Sequence, residues 1–319
     1  MSVYSHQPVD SSKARKRSIF ERTTKVSKQA FSRPYVKGSG ILGYLNTLPK
    51  ILAGEDFRQV VQNIVSARTK RRAIIWGLGA HVIKCGLNPI LIDLMERGFL
   101  TAIALNGAGA IHDLEIAISG ATSENVENEL DTGDFGMSYE TAECMQEAML
   151  ATSSEDLGLG ECLGSYIERH TNRFPNCSVS LLARAYQLKI PVTIHVAIGT
   201  DTIHNHAELS GALLGKASLR DFRLFTSLVR DLDAGGVYLN CGSAVILPEV
   251  FLKAIGMILN LGFPLRDFTT VNLDFIQHYR PHHNVVKRPT RNTGSGYSII
   301  GHHEITLPLL AATLIESSE

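Results

Sequence analysis

Two apolar segments that each break into glycine constrain this chain more than any other feature: AIIWGLGAH, starting at Ala73, and TAIALNGAGAIHD, running from Thr101 to Asp113. A strand that ends in Gly-x-Gly brings bare backbone N–H groups to the end of a sheet, where open α/β folds bind ligands. Two such elbows in succession predict a cofactor crevice. Between them, Asn88-Pro89 places a capping residue and a first-turn proline before ILIDLMERG, and Gly98 is a natural helix stop. Strand, loop, helix and strand make a βαβ unit.

The same alternation continues along the chain. GEDFRQVVQNIVSAR reads as a lead-in helix, because Phe57, Val60, Val61, Ile64 and Val65 recur at helical spacing. Residues 122–187 alternate helical runs with Gly and Ser breaks. Further buried strands are IPVTIHVAIG, GGVYLNCG and FTTVNLD, and an apolar helix, LPLLAATLI, closes the chain. Strands buried without period-2 patterning, alternating with helices, predict an α/β fold: a Rossmann-like parallel sheet covered by helices on both faces. His81, Asn106 to Asp113, Thr200 to His206, Cys241 to Ser243 and Asp274 to His283 then fall at strand C-termini, on the ligand rim.

Composition narrows the class. With 319 residues, 44% of them apolar, the chain can bury a large core, and a disordered or fibrous state is excluded. Lys plus Arg and Asp plus Glu both total 31, so net charge gives no argument for a nucleic-acid or membrane partner. Five scattered cysteines without a CxxC pair fit a reducing cytoplasm. No apolar run is long enough to span a membrane. Residues 1–40 are Ser-rich and basic and read as a flexible N-terminal arm, leaving 41–319 as one α/β domain.

Three groups of residues suggest chemistry. The second elbow matches Gly-x-Gly-x-x-His, with His112 where a dinucleotide fingerprint has its third glycine. Histidines crowd the strand ends. His204 with His206, and His282 with His283, are the pairs best spaced for a metal, but no metalloenzyme signature accompanies them and no metal is assigned. The segment from Gln277 to Tyr297 reads as a long, irregular lid, with Lys287 flanked by Val285 and Val286, an apolar setting in which a lysine can act as an amine nucleophile.

At these residues the chain resembles deoxyhypusine synthase, from about Gly54 to Leu314. AIIWGLGAHVIKCG is similar to that family's first strand and turn, ALNGAGAIHDLEIA to its Thr-Ala-Gly-Gly turn and helix, IPVTIHVAIGTDTIHNH to its Ile-Pro-Val strand, LNCGSAVILPEVFLKAI to its Cys-Thr-Gly strand, and GHHEITLPLLAATLI to its closing segment. The resemblance implies NAD as cofactor and transfer of an aminoalkyl group from spermidine or a related polyamine to an amine acceptor. It places Gly79, Ala80, His81, Asn106, Gly107, Ala108, Gly109, His112, Asp201, Asp274 and His302 around NAD. Lys287 would capture an imine, with His206 as its catalytic partner and Glu249, His204 and His283 around the amine. It also implies a homotetramer whose N-terminal segment can cover a neighbour's site. Pro248, Glu249 and Val250 stand where the family has three glycines, and the Ser-Trp-Gly that precedes the family's reactive lysine is missing. A nucleotide binder or a His-rich metal-assisted hydrolase on the same fold is the alternative.

Overall fold

The computed structural model of the chain describes residues 3–318. Residues 3–39 are almost wholly exposed and carry two single 3-10 turns; the amides of Arg33 and Lys50 bond the carbonyls of Thr47 and Ala30, tying the arm's end to the body. Two helices follow in place of the one lead-in helix expected, α1 (Gly40–Thr47) and α2 (Leu52–Thr69). The βαβ unit is β1 (Ile74–Leu78), a five-residue α3 (Ala80–Lys84), α4 (Asn88–Glu96) and β2 (Ala102–Asn106). The helical middle comprises α5 (Gly107–Ser119), α6 (Val126–Thr132), α7 (Tyr139–Ala151), α8 (Leu159–Arg169) and α9 (Leu181–Gln187). Then come β3 (Val192–His195), α10 (Gly211–Arg230), β4 (Val237–Cys241), α11 (Ile246–Asn260), β5 (Thr269–Asp274), β6 (Ser295–Ile300) and α12 (His303–Glu316).

The six strands form one parallel sheet in the order β3-β2-β1-β4-β5-β6. This is the doubly wound order whose direction reverses beside β1, and ligands of such sheets bind at that switch point, outside the strand C-termini. One face packs Ile74, Trp76, Ile103, Leu105, Val237, Leu239 and Val271 against α2, α4, α5 and α12. The other packs Ile75, Ala102, Ala104 and Tyr238 against Phe225 and Val229 of α10 and Leu247, Phe251 and Ala254 of α11. Helices on both faces bury every residue of β1, β3, β4 and β5.

Three expectations change at residue level. β4 and β5 do alternate, because Asn240, Thr270 and Asn272 share the face of Tyr238, while the face of Val237 and Leu239 is apolar but for Thr269; β1, as expected, is apolar throughout. Gly77 is no exit-loop glycine: it lies within β1, where a Cβ would come 2.5 Å from the Tyr238 hydroxyl. Asn88 does not cap α4; Leu87 holds the cap position, and the buried Asn88 amide donates to Asp113 (2.9 Å) and to the Val179 carbonyl (3.0 Å). Asp113 in turn accepts from Ser180 and from the amides of Leu181 and Leu182, fastening α5 to α9.

The segment from Gln277 to Tyr297 is also more ordered than the lid expected of it. Pro281–Lys287 forms a π-helical turn and β6 begins at Ser295.

Candidate functional site

The two elbows reach the C-terminal rim in different states. After β1 the chain packs directly on the β4 exit: the Gly79 amide donates to the Cys241 carbonyl (2.8 Å), and a Cβ on Gly79 would collide with the Gly242 carbonyl. Ala80 and His81 then open α3. After β2, Asn106 caps α5 by accepting the Gly109 amide (3.0 Å). A Cβ on Gly107 would run into the Asp201 carboxylate, so the chain's own acid lies over the start of this 13-residue helix. A carboxylate is stabilised there by the helix dipole.

Asp201 is 6% exposed and its Oδ2 has no hydrogen-bond partner among the described residues. Burial pushes its carboxyl up, and His204 and the Ala108 amide pull it back only in part. The His204 Nδ1 accepts the amides of Gly199 (3.1 Å) and Asp201 (3.3 Å), leaving Nε2 buried and unpartnered.

Beside Asp201 is a pocket of about 200 Å³ lined by Lys84, Ala108, Ile111, His112, Glu115 and Glu124, with Val126 and Phe135 as apolar walls. His112 Nδ1 lies 2.6 Å from Thr122 Oγ1 and 3.3 Å from Glu115 Oε2. Burial works to raise the Glu115 carboxyl, but the hydrogen bonds from His112 and Thr122 outweigh it and hold the group below its usual range. Glu124 accepts the Gly136 amide (2.9 Å). Three carboxylates face this space and one oxygen of them, Asp201 Oδ2, is unsatisfied.

The other expected site residues do not line this pocket. Glu249, in the first turn of α11, is paired with Lys253 (2.7 Å) and Arg280 (3.2 Å) and accepts from Asn284 (2.9 Å), which lowers its carboxyl, chiefly through Lys253. His206 Nε2 is 3.1 Å from the Gly136 carbonyl, and His283 Nδ1 is 3.0 Å from that of Tyr279. Asp274 accepts the Phe275 amide (2.8 Å), and His302 stacks on Phe275 at 5.5 Å.

Lys287 does not have the apolar setting expected of it: Val285 and Val286 turn inward and the lysine is exposed. A Cβ on Gly296 would meet the Val286 carbonyl, and Gly296 lies four residues before Ile300, the partner of Asp274 at the rim. Four strand residues span about 13 Å. The residues that sequence reasoning missed are Glu115 and Glu124, which line the pocket, and Cys85 and Glu304, which sit beside His81. Glu115 was legible as the acid three residues after His112 on one helix face.

Fold and pocket together define a doubly wound α/β protein with a carboxylate-lined pocket on its C-terminal rim. No described protein-family profile matches the sequence, and no characterised protein matches it in sequence. Solved structures share the fold. AgrE, in a ternary complex with ornithine and NAD+, is 13% identical over 82% of this chain and 33% of its own, with a TM-score of 0.53. A candidate LOR/SDH protein from Methanococcus maripaludis S2 is 14% identical over 85% of this chain and 72% of its own, with a TM-score of 0.53. A candidate deoxyhypusine synthase from Entamoeba histolytica is 13% identical over 90% and 97%, with a TM-score of 0.51. The chain spans about a third of the length of AgrE and of the cyanobacterial arginine dihydrolase ArgZ. Among the described residues no helix is long and apolar enough to cross a membrane.

Proposed function

We propose that this chain is an enzyme acting on a small cationic amine, held at the start of α5. The observation that carries this is the unpartnered, buried Asp201 Oδ2 beside a pocket with two further carboxylates. Asp201 binds the ammonium group, and Ile111, Val126 and Phe135 exclude water around the alkyl chain. His112, its Nδ1 held by Thr122 and Glu115, keeps Nε2 to exchange a proton with the amine. AgrE, which shares the fold, binds ornithine, in keeping with this substrate class.

The specific form implied by the resemblance is NAD-dependent transfer of an aminoalkyl group from a polyamine, through an imine on Lys287. AgrE's complex with NAD+ supports a nicotinamide cofactor for the fold. The elbows of this chain, however, do not fit its phosphates. Asp201 stands where the α5 amides would meet a phosphate, and Gly79 is packed on Gly242. About 200 Å³ is also below the size class of pockets for larger ligands.

Calorimetric titration with putrescine, spermidine, agmatine and ornithine tests the proposal. At least one should bind, and Asp201→Asn should weaken it tenfold or more, about 1.4 kcal/mol. Affinity should fall on acidification, because a protonated Asp201 no longer pairs with the ammonium group. Equal affinity in Asp201→Asn would overturn the assignment. Adding NAD decides the finer form: transfer through an imine requires NADH fluorescence and its loss of turnover in Lys287→Ala.

A further inference from the structure

We propose that His81, Cys85 and Glu304 form a binding site for a divalent transition-metal ion of the zinc class, outside the amine pocket. His81 and Cys85 stand four residues apart across α3, so both project from one side of it. Glu304 comes from the first turn of α12, which the return from β6 brings to the same rim. The three ligand atoms lie within 4.8 Å of one another, with Cys85 Sγ 3.3 Å from His81 Nε2 and 3.8 Å from Glu304 Oε2. A tetrahedral zinc with ordinary bond lengths separates its ligand atoms by about 3.6 Å. The distances bracket that value without any change of backbone.

The donor set has one nitrogen, one sulfur and one oxygen. It suits zinc or cobalt and not the hard cations, which take oxygen alone. His81 and Glu304 are exposed, so the fourth position faces solvent, as in sites that keep a water. His302 Nδ1, 3.9 Å from Glu304 Oε1, is within reach of it.

A second observation lies directly beneath. His303 is fully buried, neither ring nitrogen has a partner among the described residues, and its ring is 6.0 Å from that of His81. The charges facing the cluster are Lys84 and His302, and Asp274 faces His303. Burial first, and then Glu304, hold the Cys85 thiol up in its protonated form; a bound cation reverses that balance. The pairs His204 with His206 and His282 with His283, which the sequence favours, do not form such a cluster among the described residues.

The test uses the full chain stripped with a chelator and titrated with Co²⁺, with no amine present. The expected result is one equivalent bound, with a thiolate-to-cobalt charge-transfer band that Zn²⁺ displaces. Cys85→Ser should abolish the band, and His81→Ala and Glu304→Gln should each weaken binding at least tenfold. A His282→Ala, His283→Ala double variant should keep the band. Circular dichroism of each metal-free variant verifies its fold. A missing band in the wild type, or unchanged cobalt affinity in folded Cys85→Ser, would overturn the proposal.

Discussion

Two buried residues make stability depend on pH in opposite directions. Asp221 of α10 accepts the amides of Gly160 (3.0 Å) and Ile194 (2.7 Å), yet burial raises its carboxyl from 3.8 to about 7. It binds a proton more tightly folded than unfolded, so its contribution is complete below 3.8 and is lost as pH rises through about 7. His195 sits in an apolar wall with Phe225, and burial lowers it from 6.5 to about 3. It binds its proton more weakly when folded. Its contribution is therefore complete above 6.5 and is lost as pH falls towards 3. Each slope is at most about 1.4 kcal/mol per pH unit, and the two cancel where their windows overlap. Urea unfolding of the wild type should change little across that overlap. Asp221→Asn should expose a loss of stability on acidification below 6.5, and His195→Gln a loss on going from acid to neutral pH. An unaltered pH profile in both variants would contradict these assignments.

At the level of elements, the contact between the exits of β1 and β4 is where geometry leaves least freedom. The Gly242 carbonyl, which a Gly79 Cβ would strike, belongs to backbone and cannot turn aside as a side chain could. Gly79→Ala should cost about 1–3 kcal/mol, typical of overpacking, measurable as a lower denaturation midpoint with an unchanged m-value. Ala80→Gly, one residue on, removes no backbone contact and should cost less than about 1 kcal/mol. These elbows also show what sequence could and could not convey. Strand ends and glycines were legible because apolar runs and turn residues carry them. The reason for each glycine was not: Gly77 makes room for Tyr238, Gly79 for the β4 exit and Gly107 for Asp201, partners far away along the chain. The crossover after β5 was misjudged for a related reason. Its polar surface reads as a loop, while Pro281, Asn284, Val285 and Val286, the residues that bury it, are too few to give a period.

Across the whole molecule, the sheet and its two helical layers followed from the alternation of apolar runs with capped helices, and the C-terminal rim collected the polar strand ends as expected. The candidate pocket was only half legible. Ala108, His112 and Asp201 were expected around a nicotinamide and here line the pocket, whereas Glu115 and Glu124 needed the fold to bring α5 and the segment before α6 together. The N-terminal arm contributes little to this body. Among the described residues, 3–29 have no buried side chain, and the arm's backbone bonds to the body are those of residues 30 and 33. Deleting residues 5–27, which are exposed throughout, should shift the unfolding free energy by less than about 0.5 kcal/mol; a larger loss in chemical denaturation would overturn that.

The carboxylate that Asp201 lays over Gly107 has a consequence for selectivity. A group tethered this close acts as a resident competitor at a local concentration of about millimolar or more. Free anions must displace it before they can use the amides of α5, whereas cations meet a charge already in place. On the proposed reading one side chain sets which sign of ligand this end of the sheet admits, and exchanging it for a small neutral residue would turn the proposed amine site towards anions on an unchanged scaffold.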